Sequence, residues 1–138
     1  VIVLDTNVLS EPLRQRPHAG VVAWLDAQAV ETLYLTTISL AELRFGVAAL
    51  PEGKRRQILH DRIEREVLPV FAMRTLGFDD DATVAYAALR AEARAAGQAI
   101  GDFDALIAAI ARVRGFAVAT RDTAAFRAAG VAVIDPFG

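Results

Sequence analysis

The sequence predicts an α/β fold with a mostly parallel sheet of about four to five strands and helices on both faces. Short β-branched, apolar runs such as Val1–Leu4 and Phe116–Thr120 alternate with helical patterns from end to end. These runs are apolar throughout rather than alternating, as strands covered on both faces require. A length of 138 residues suits one domain, residues 1–138, with a core of ordinary size.

Val1–Leu4 opens the chain as a strand and ends in Asp5-Thr6-Asn7. A helix is expected from Val8 to about Arg14, closed by Pro17, and a second one around Val21, Val22, Trp24 and Leu25. Leu33–Thr37 reads as the next strand. Ser39 and Glu42 then match a capping box at the start of a helix from Leu40 to Leu50. Pro51 precedes a helix over Glu52–Leu68, with Ile58, Leu59, Ile63 and Val67 on one face. Its other face carries Lys54, Arg55, Arg56, Arg62 and Arg65. Pro69–Met73 suggests a third strand, and Asp79–Ala96 a long helix started by acids and stopped by Gly97. Phe103–Arg114 is apolar on nearly every side, so it reads as a buried helix. Gly115 stops it, cations sit where its dipole is negative, and the strand Phe116–Thr120 follows. A short helix over Thr123–Ala129, Gly130 and a last strand, Val131–Ile134, complete the order. Trp24 and Phe45 are expected in the core.

Composition excludes several classes. Hydrophobic residues make up 54% and mean hydropathy is +0.34, yet no run approaches the ~20 residues of a membrane span. Val1-Ile2-Val3-Leu4 has no basic region followed by a long apolar stretch, so no signal peptide is expected. The absence of cysteine removes disulfides, thiol nucleophiles and cysteine metal sites, and fits a reducing cytoplasm. A net charge of −2 argues against a protein that coats nucleic acid through bulk charge, though not against a local basic patch. His18 and His60 lie far from the acidic motifs and are expected at the surface. That disfavours histidine-driven RNA cleavage and a Ser-His-Asp triad.

In open parallel sheets, ligands bind beyond the carboxyl ends of the strands. Four acids are placed there: Asp5 after the first strand, Glu42 in the turn after the second, Asp104 at the start of the buried helix, and Asp122 past the strand that helix feeds. A helix packed back along a sheet runs antiparallel to the strand it feeds, so Asp104 and Asp122 are predicted neighbours. Gathering such charges costs roughly 3 kcal/mol per pair at ~5 Å and an effective dielectric of ~20. A cation should accompany them. Carboxylates without His or Cys make a hard oxygen site that suits Mg²⁺ or Mn²⁺. The competing reading is local, because each acid can cap a helix or favour its positive end.

Four motifs, VLDTNVL at Val3–Leu9, SLAELRFG at Ser39–Gly46, DALIAAIA at Asp104–Ala111 and ATRDTAAF at Ala119–Phe126, resemble the successive motifs of PIN-domain ribonucleases. The likeness is greatest to VapC-type toxins of bacterial type II toxin–antitoxin pairs, including FitB-like members, and spans essentially the whole chain. It implies a PIN-like sheet and a metal-dependent endoribonuclease. RNA phosphodiester bonds would be hydrolysed by water activated by Mg²⁺ or Mn²⁺. Carried over by motif, the catalytic and metal-holding residues are Asp5, Glu42, Asp104 and Asp122, with Thr6, Asn7 and Thr120 in support. Asp102 lies two residues before the matching position and is expected as a cap or supporting group. The resemblance also implies a homodimer and a small VapB-like antitoxin that covers the site, often inserting an arginine among the carboxylates, and the cysteine-free composition makes the cytoplasm the expected location.

RNA contact requires donors. Arg44, Arg121 and the basic side chains of the Glu52–Leu68 helix are the candidates for phosphate binding. Two alternatives stay open on the residues alone. A metal-dependent phosphatase would use an aspartate after the first strand as nucleophile, but Asn7 stands where a second acid would be expected. A non-catalytic binding module would use its acids only to cap helices and dock a basic partner.

Overall fold

The structure is a computed structural model and describes residues 1–138. Its five strands are β1 (Ile2–Leu4), β2 (Leu33–Thr36), β3 (Thr75–Leu76), β4 (Ala117–Ala119) and β5 (Val133–Ile134). They form one sheet in the order β3-β2-β1-β4-β5, and every neighbouring pair is parallel. The helices are α1 (Thr6–Ser10), α2 (Ala19–Ala27), α3 (Thr37–Ala48), α4 (Lys54–Arg62), α5 (Asp80–Ala95), α6 (Asp102–Arg114) and α7 (Thr123–Ala128). The α/β expectation holds, with the sheet wholly parallel.

Alternation along the strands divides the core. Val3 and Val118 face one apolar cluster, together with residues of α5, α6 and α7. Leu4, Leu35 and Ala119 face the other, with residues of α1, α2 and α3. The central strand, β1, is thus covered on both sides, which explains its unbroken apolar run. Helix α6 buries Ala105 and the whole stretch Ile107–Ala111, so its alanines allow close approach to β4 and α5. Gly115, at φ 69°, ends it. The Phe116 N–H reaches Ala111 O at 3.0 Å and the Gly115 N–H reaches Arg112 O at 3.2 Å, the paired bonds of a Schellman stop.

Several expected boundaries move, each for a local reason. The first helix begins at Thr6 rather than Val8, because the Asp5 carboxylate accepts the Thr6 N–H at 2.8 Å. It tightens into a 3₁₀ turn over Glu11–Leu13 and does not reach Arg14, since Pro12 has no N–H to continue the α ladder. Helix α3 begins at Thr37 rather than Leu40. Thr36, the last residue of β2, caps it by accepting the Ser39 N–H at 3.1 Å, so Ser39 is inside the helix and the expected capping box does not form.

The third strand is not at Pro69–Met73. After α4 the chain stays helical, as a π turn over Ile63–Val67 and a 3₁₀ turn over Leu68–Phe71. Ile63 and Phe71 remain buried at this spacing, and the strand follows at Thr75–Leu76, pairing Leu35 with Thr75. Two side chains expected inside are outside: Phe45 is 72% exposed and Ile58 54%. Phe103, in the first turn of α6, is exposed as well. Trp24 packs half-buried against the cluster under α2. His18 and His60 are at the surface as expected, with His18 Nδ1 accepting the Val21 N–H to cap α2. No helix is long and apolar enough to cross a membrane.

Candidate active site

The carboxyl ends of β1 and β4 lie side by side, because Leu4 is paired with Ala119. The next residues on each strand are Asp5 and Thr120, both buried. Thr120 Oγ1 donates to Asp5 Oδ2 at 2.7 Å and accepts the Asp122 N–H at 2.9 Å. One hydroxyl thus fixes both the central carboxylate and the turn that carries Asp122. Asn7, in the first turn of α1, completes the brace. Its Nδ2 donates to Asp5 Oδ2 at 3.3 Å and Asp122 Oδ2 at 3.1 Å, while its Oδ1 accepts the Arg121 N–H at 3.2 Å.

Asp104 enters from the first turn of α6. It brings a carboxylate oxygen into a group with Asp5 and Asp122 in which all three ligand atoms lie within 4.8 Å of one another. The antiparallel relation of α6 and β4 therefore does bring Asp104 and Asp122 together. None of the three acids forms an ion pair with a side chain. Burial pushes the Asp5 carboxyl up to about 6, with the charges of Asp104 and Asp122 adding to it and the bonds from Thr120 and Thr6 opposing it. Burial also raises Asp104, followed by the nearby charges of Asp122 and Glu42.

Glu42 stands beside this group and outside the set whose oxygens can share one ion. Helix α3 starts early, so Glu42 lies in its second turn rather than its first. Thr6 Oγ1 donates to Glu42 Oε1 at 2.8 Å and lies 3.0 Å from the Ser39 hydroxyl. Ser39 is fully buried and supports this chain from below. Its sequence context pointed only to a cap, so this support was not anticipated; the SLAE spacing, which puts Ser39 and Glu42 one helical turn apart, is the signal that carried it.

The remaining candidates lie elsewhere. Asp102 pairs with Arg90 and makes no side-chain cap bond at the start of α6. Arg90 also donates to Ile100 O at 2.6 Å, so Asp102 fastens the loop before α6 instead of supporting the acidic group. Arg44 forms a two-pronged pair with Glu64, at 2.8 and 3.2 Å, which ties α3 to the turn after α4. Arg121 lies over the Phe137 ring, its guanidinium carbon 3.9 Å from the centroid, at the rim of the acidic group.

Three carboxylates this close, one of them buried and none neutralised by a basic side chain, need a cation to stay ionised together. Oxygen donors alone, without His or Cys, fit a hard divalent ion. The residues present therefore fit a metal of the Mg²⁺ or Mn²⁺ type, with Asp5, Asp104 and Asp122 as the donors.

Comparison with known proteins agrees with this geometry. A family model described as the PIN domain matches residues 2–131. The chain is 56% identical over 137 residues to the VapC ribonuclease Y4jK of Sinorhizobium fredii, covering 99% of this chain and 98% of that protein. It is 50% identical to Toxin FitB of Neisseria gonorrhoeae, over 99% of both. The crystal structure of FitAcB from Neisseria gonorrhoeae matches with a TM-score of 0.97 at 50% identity, over 99% of each chain.

Proposed function

The chain belongs to the PIN-domain family, and on that footing we propose that it is a metal-dependent endoribonuclease, the toxin component of a toxin–antitoxin pair. The observation that carries the reading is the convergence of Asp5, Asp104 and Asp122, whose carboxylate oxygens lie within 4.8 Å of one another. Residues 1–138 act as one PIN domain in this reading, and the catalytic group is Asp5, Glu42, Asp104 and Asp122.

Asp5, Asp104 and Asp122 would hold Mg²⁺ or Mn²⁺. When bound, the ion supplies positive charge that acidifies water and polarises the scissile phosphodiester. The residues of the chain do the rest. Thr120, Thr6 and Asn7 direct their donors at Asp5 and Asp122; the bonds from Thr120 and Thr6 oppose the rise of the Asp5 carboxyl, and together the donors fix the remaining lone pairs of both carboxylates toward the shared space. Glu42, held at Oε1 by Thr6, has Oε2 free to take a proton from the attacking water. In-line attack then forms a P–O bond to the water oxygen as the P–O3′ bond breaks, the 3′ oxygen takes a proton from solvent, and no side chain becomes covalently attached.

The partners follow from the family. A small antitoxin of the VapB type would cover the acidic group, and the toxin would act as a homodimer in the cytoplasm. Incubating purified, antitoxin-free protein with a cellular RNA pool tests the reading. Cleavage that Mg²⁺ or Mn²⁺ supports and EDTA stops is expected. Intact RNA under every metal would overturn it.

A further inference from the structure

Beside the acidic group, a groove of about 320 Å³ runs between α1, α3 and α4. Thr6 and Glu42 line it on the side of the acidic group, buried Leu43, Val47 and Ile63 lie deepest in it beside half-buried Leu13 and Leu59, and Arg14 and Arg55 complete the lining. A second hollow of about 430 Å³ shares Leu13, Arg14, Arg55 and Leu59 and carries on past Lys54 and Arg62. The two make one track leading away from the carboxylates. We propose that this track holds the RNA backbone on one side of the scissile phosphate, with Lys54 and Arg55 as phosphate ligands. The proposal rests on the nuclease reading and names where its substrate lies.

Charge is the main argument. The chain carries a net −2, yet the track is lined by four cations, Arg14, Lys54, Arg55 and Arg62, against the acid Glu42 in the lining and the buried Glu11 that pairs with Arg14. Local sign is therefore reversed where a polyanion would have to approach four carboxylates. Lys54 and Arg55 are exposed and take part in no ion pair, so phosphate contact would displace only water and counterions.

The other two cations are positioned. Glu11 is 3% exposed, and its carboxylate holds only Nη1 of Arg14, at 3.1 and 3.4 Å. Its burial fixes Arg14 at the mouth of the groove while leaving the other guanidinium nitrogens without a protein partner. Arg62 donates to Pro12 O at 3.5 Å, joining α4 to the 3₁₀ turn on the opposite wall. Between the cations, Leu13 and Leu59 are half-buried and Ile58 is exposed. This apolar strip gives the faces of unstacked bases a surface to lie on. A protein segment would find the same strip, but four cations facing it favour a phosphate chain.

The test measures binding and cleavage separately. A short fluorescein-labelled single-stranded RNA of mixed sequence is titrated at several KCl concentrations against the full chain carrying Asp104→Asn, so that the probe survives. The double variant Lys54→Ala/Arg55→Ala is compared with Arg114→Ala/Arg127→Ala, which removes two exposed cations outside the track. Each lost phosphate contact lowers the slope of log affinity against log salt by about 0.7. The track variant should lose roughly 1.4 from that slope and bind more weakly at low salt, and the control should keep both values. In the otherwise unaltered protein, the track variant should raise KM and retain kcat. Equal slopes in the two variants, or no measurable binding of the probe, would overturn the proposal and leave the groove to a protein segment. Failure of the nuclease reading would show independently, as RNA left intact by the unaltered protein with metal.

Discussion

Thr120 Oγ1 donates a 2.7 Å hydrogen bond to Asp5 Oδ2 across a sequence separation of 115 residues. The bond exists because the pairing of Leu4 with Ala119 delivers both residues to one strand edge. It partly offsets the burial that pushes the Asp5 carboxyl from 3.8 to about 6. A carboxyl raised on folding binds its proton more tightly in the native state. Its stabilising contribution is therefore complete below pH 3.8 and lost as pH rises through about 6. The loss amounts to about 3 kcal/mol. In EDTA, urea unfolding from pH 3.5 to 7.5 should show the unaltered protein losing stability relative to Asp5→Asn across that window. Parallel stability curves would contradict the assignment of the raised carboxyl to Asp5.

A divalent ion that binds the native acidic group would remove the same penalty from the other direction and stabilise the fold by mass action. Mn²⁺ at 100 times its dissociation constant should add about 2.7 kcal/mol. Thermal melting with and without EDTA reads this directly. Asp122→Asn should need far more Mn²⁺ for the same shift, and a melting curve indifferent to both Mn²⁺ and EDTA would exclude a metal site.

The Thr6 hydroxyl joins Ser39 to Glu42 and has no other evident role. Thr6→Val keeps the shape and removes the donor. Cleavage should fall by roughly 10- to 100-fold, short of the roughly 100- to 10,000-fold that a positioned proton acceptor supplies, because Glu42 is misplaced rather than removed. Thr6→Ser restores the hydroxyl and should recover most of the rate. A Thr6→Val rate equal to that of the unaltered protein would mean that Glu42 needs no such support.

The alternation of apolar strands with helices was legible in the sequence, as was the return of Asp104 to Asp122, because both follow from chain geometry. Other features depend on choices a single sequence leaves degenerate. The run Pro69–Met73 is too short to separate strand from helix by pattern, and the burial of Ile63 and Phe71 at helical spacing decided it. Thr36, Thr37 and Ser39 could each cap a helix. The end of β2 selected Thr36, freeing Glu42 from the backbone and turning a local motif into part of the site. Phe45 has the composition of a core residue, yet the orientation of α3 leaves it 72% exposed, and hydrophobicity alone does not distinguish a core face from an outer one.

Asp102 and Asp104 illustrate the limit most sharply. Two residues along a helix rotate a side chain by roughly 200°, so only one of the pair can face the carboxylate group. The structure gives that place to Asp104 and turns Asp102 to Arg90. The most direct test of the account is therefore the rate of metal-dependent RNA cleavage by Asp104→Asn and Asp102→Asn, measured side by side under identical Mn²⁺. Loss of cleavage in Asp104→Asn with a near-normal rate in Asp102→Asn is the predicted result. Cleavage that survives Asp104→Asn, or that is abolished only by Asp102→Asn, would contradict it.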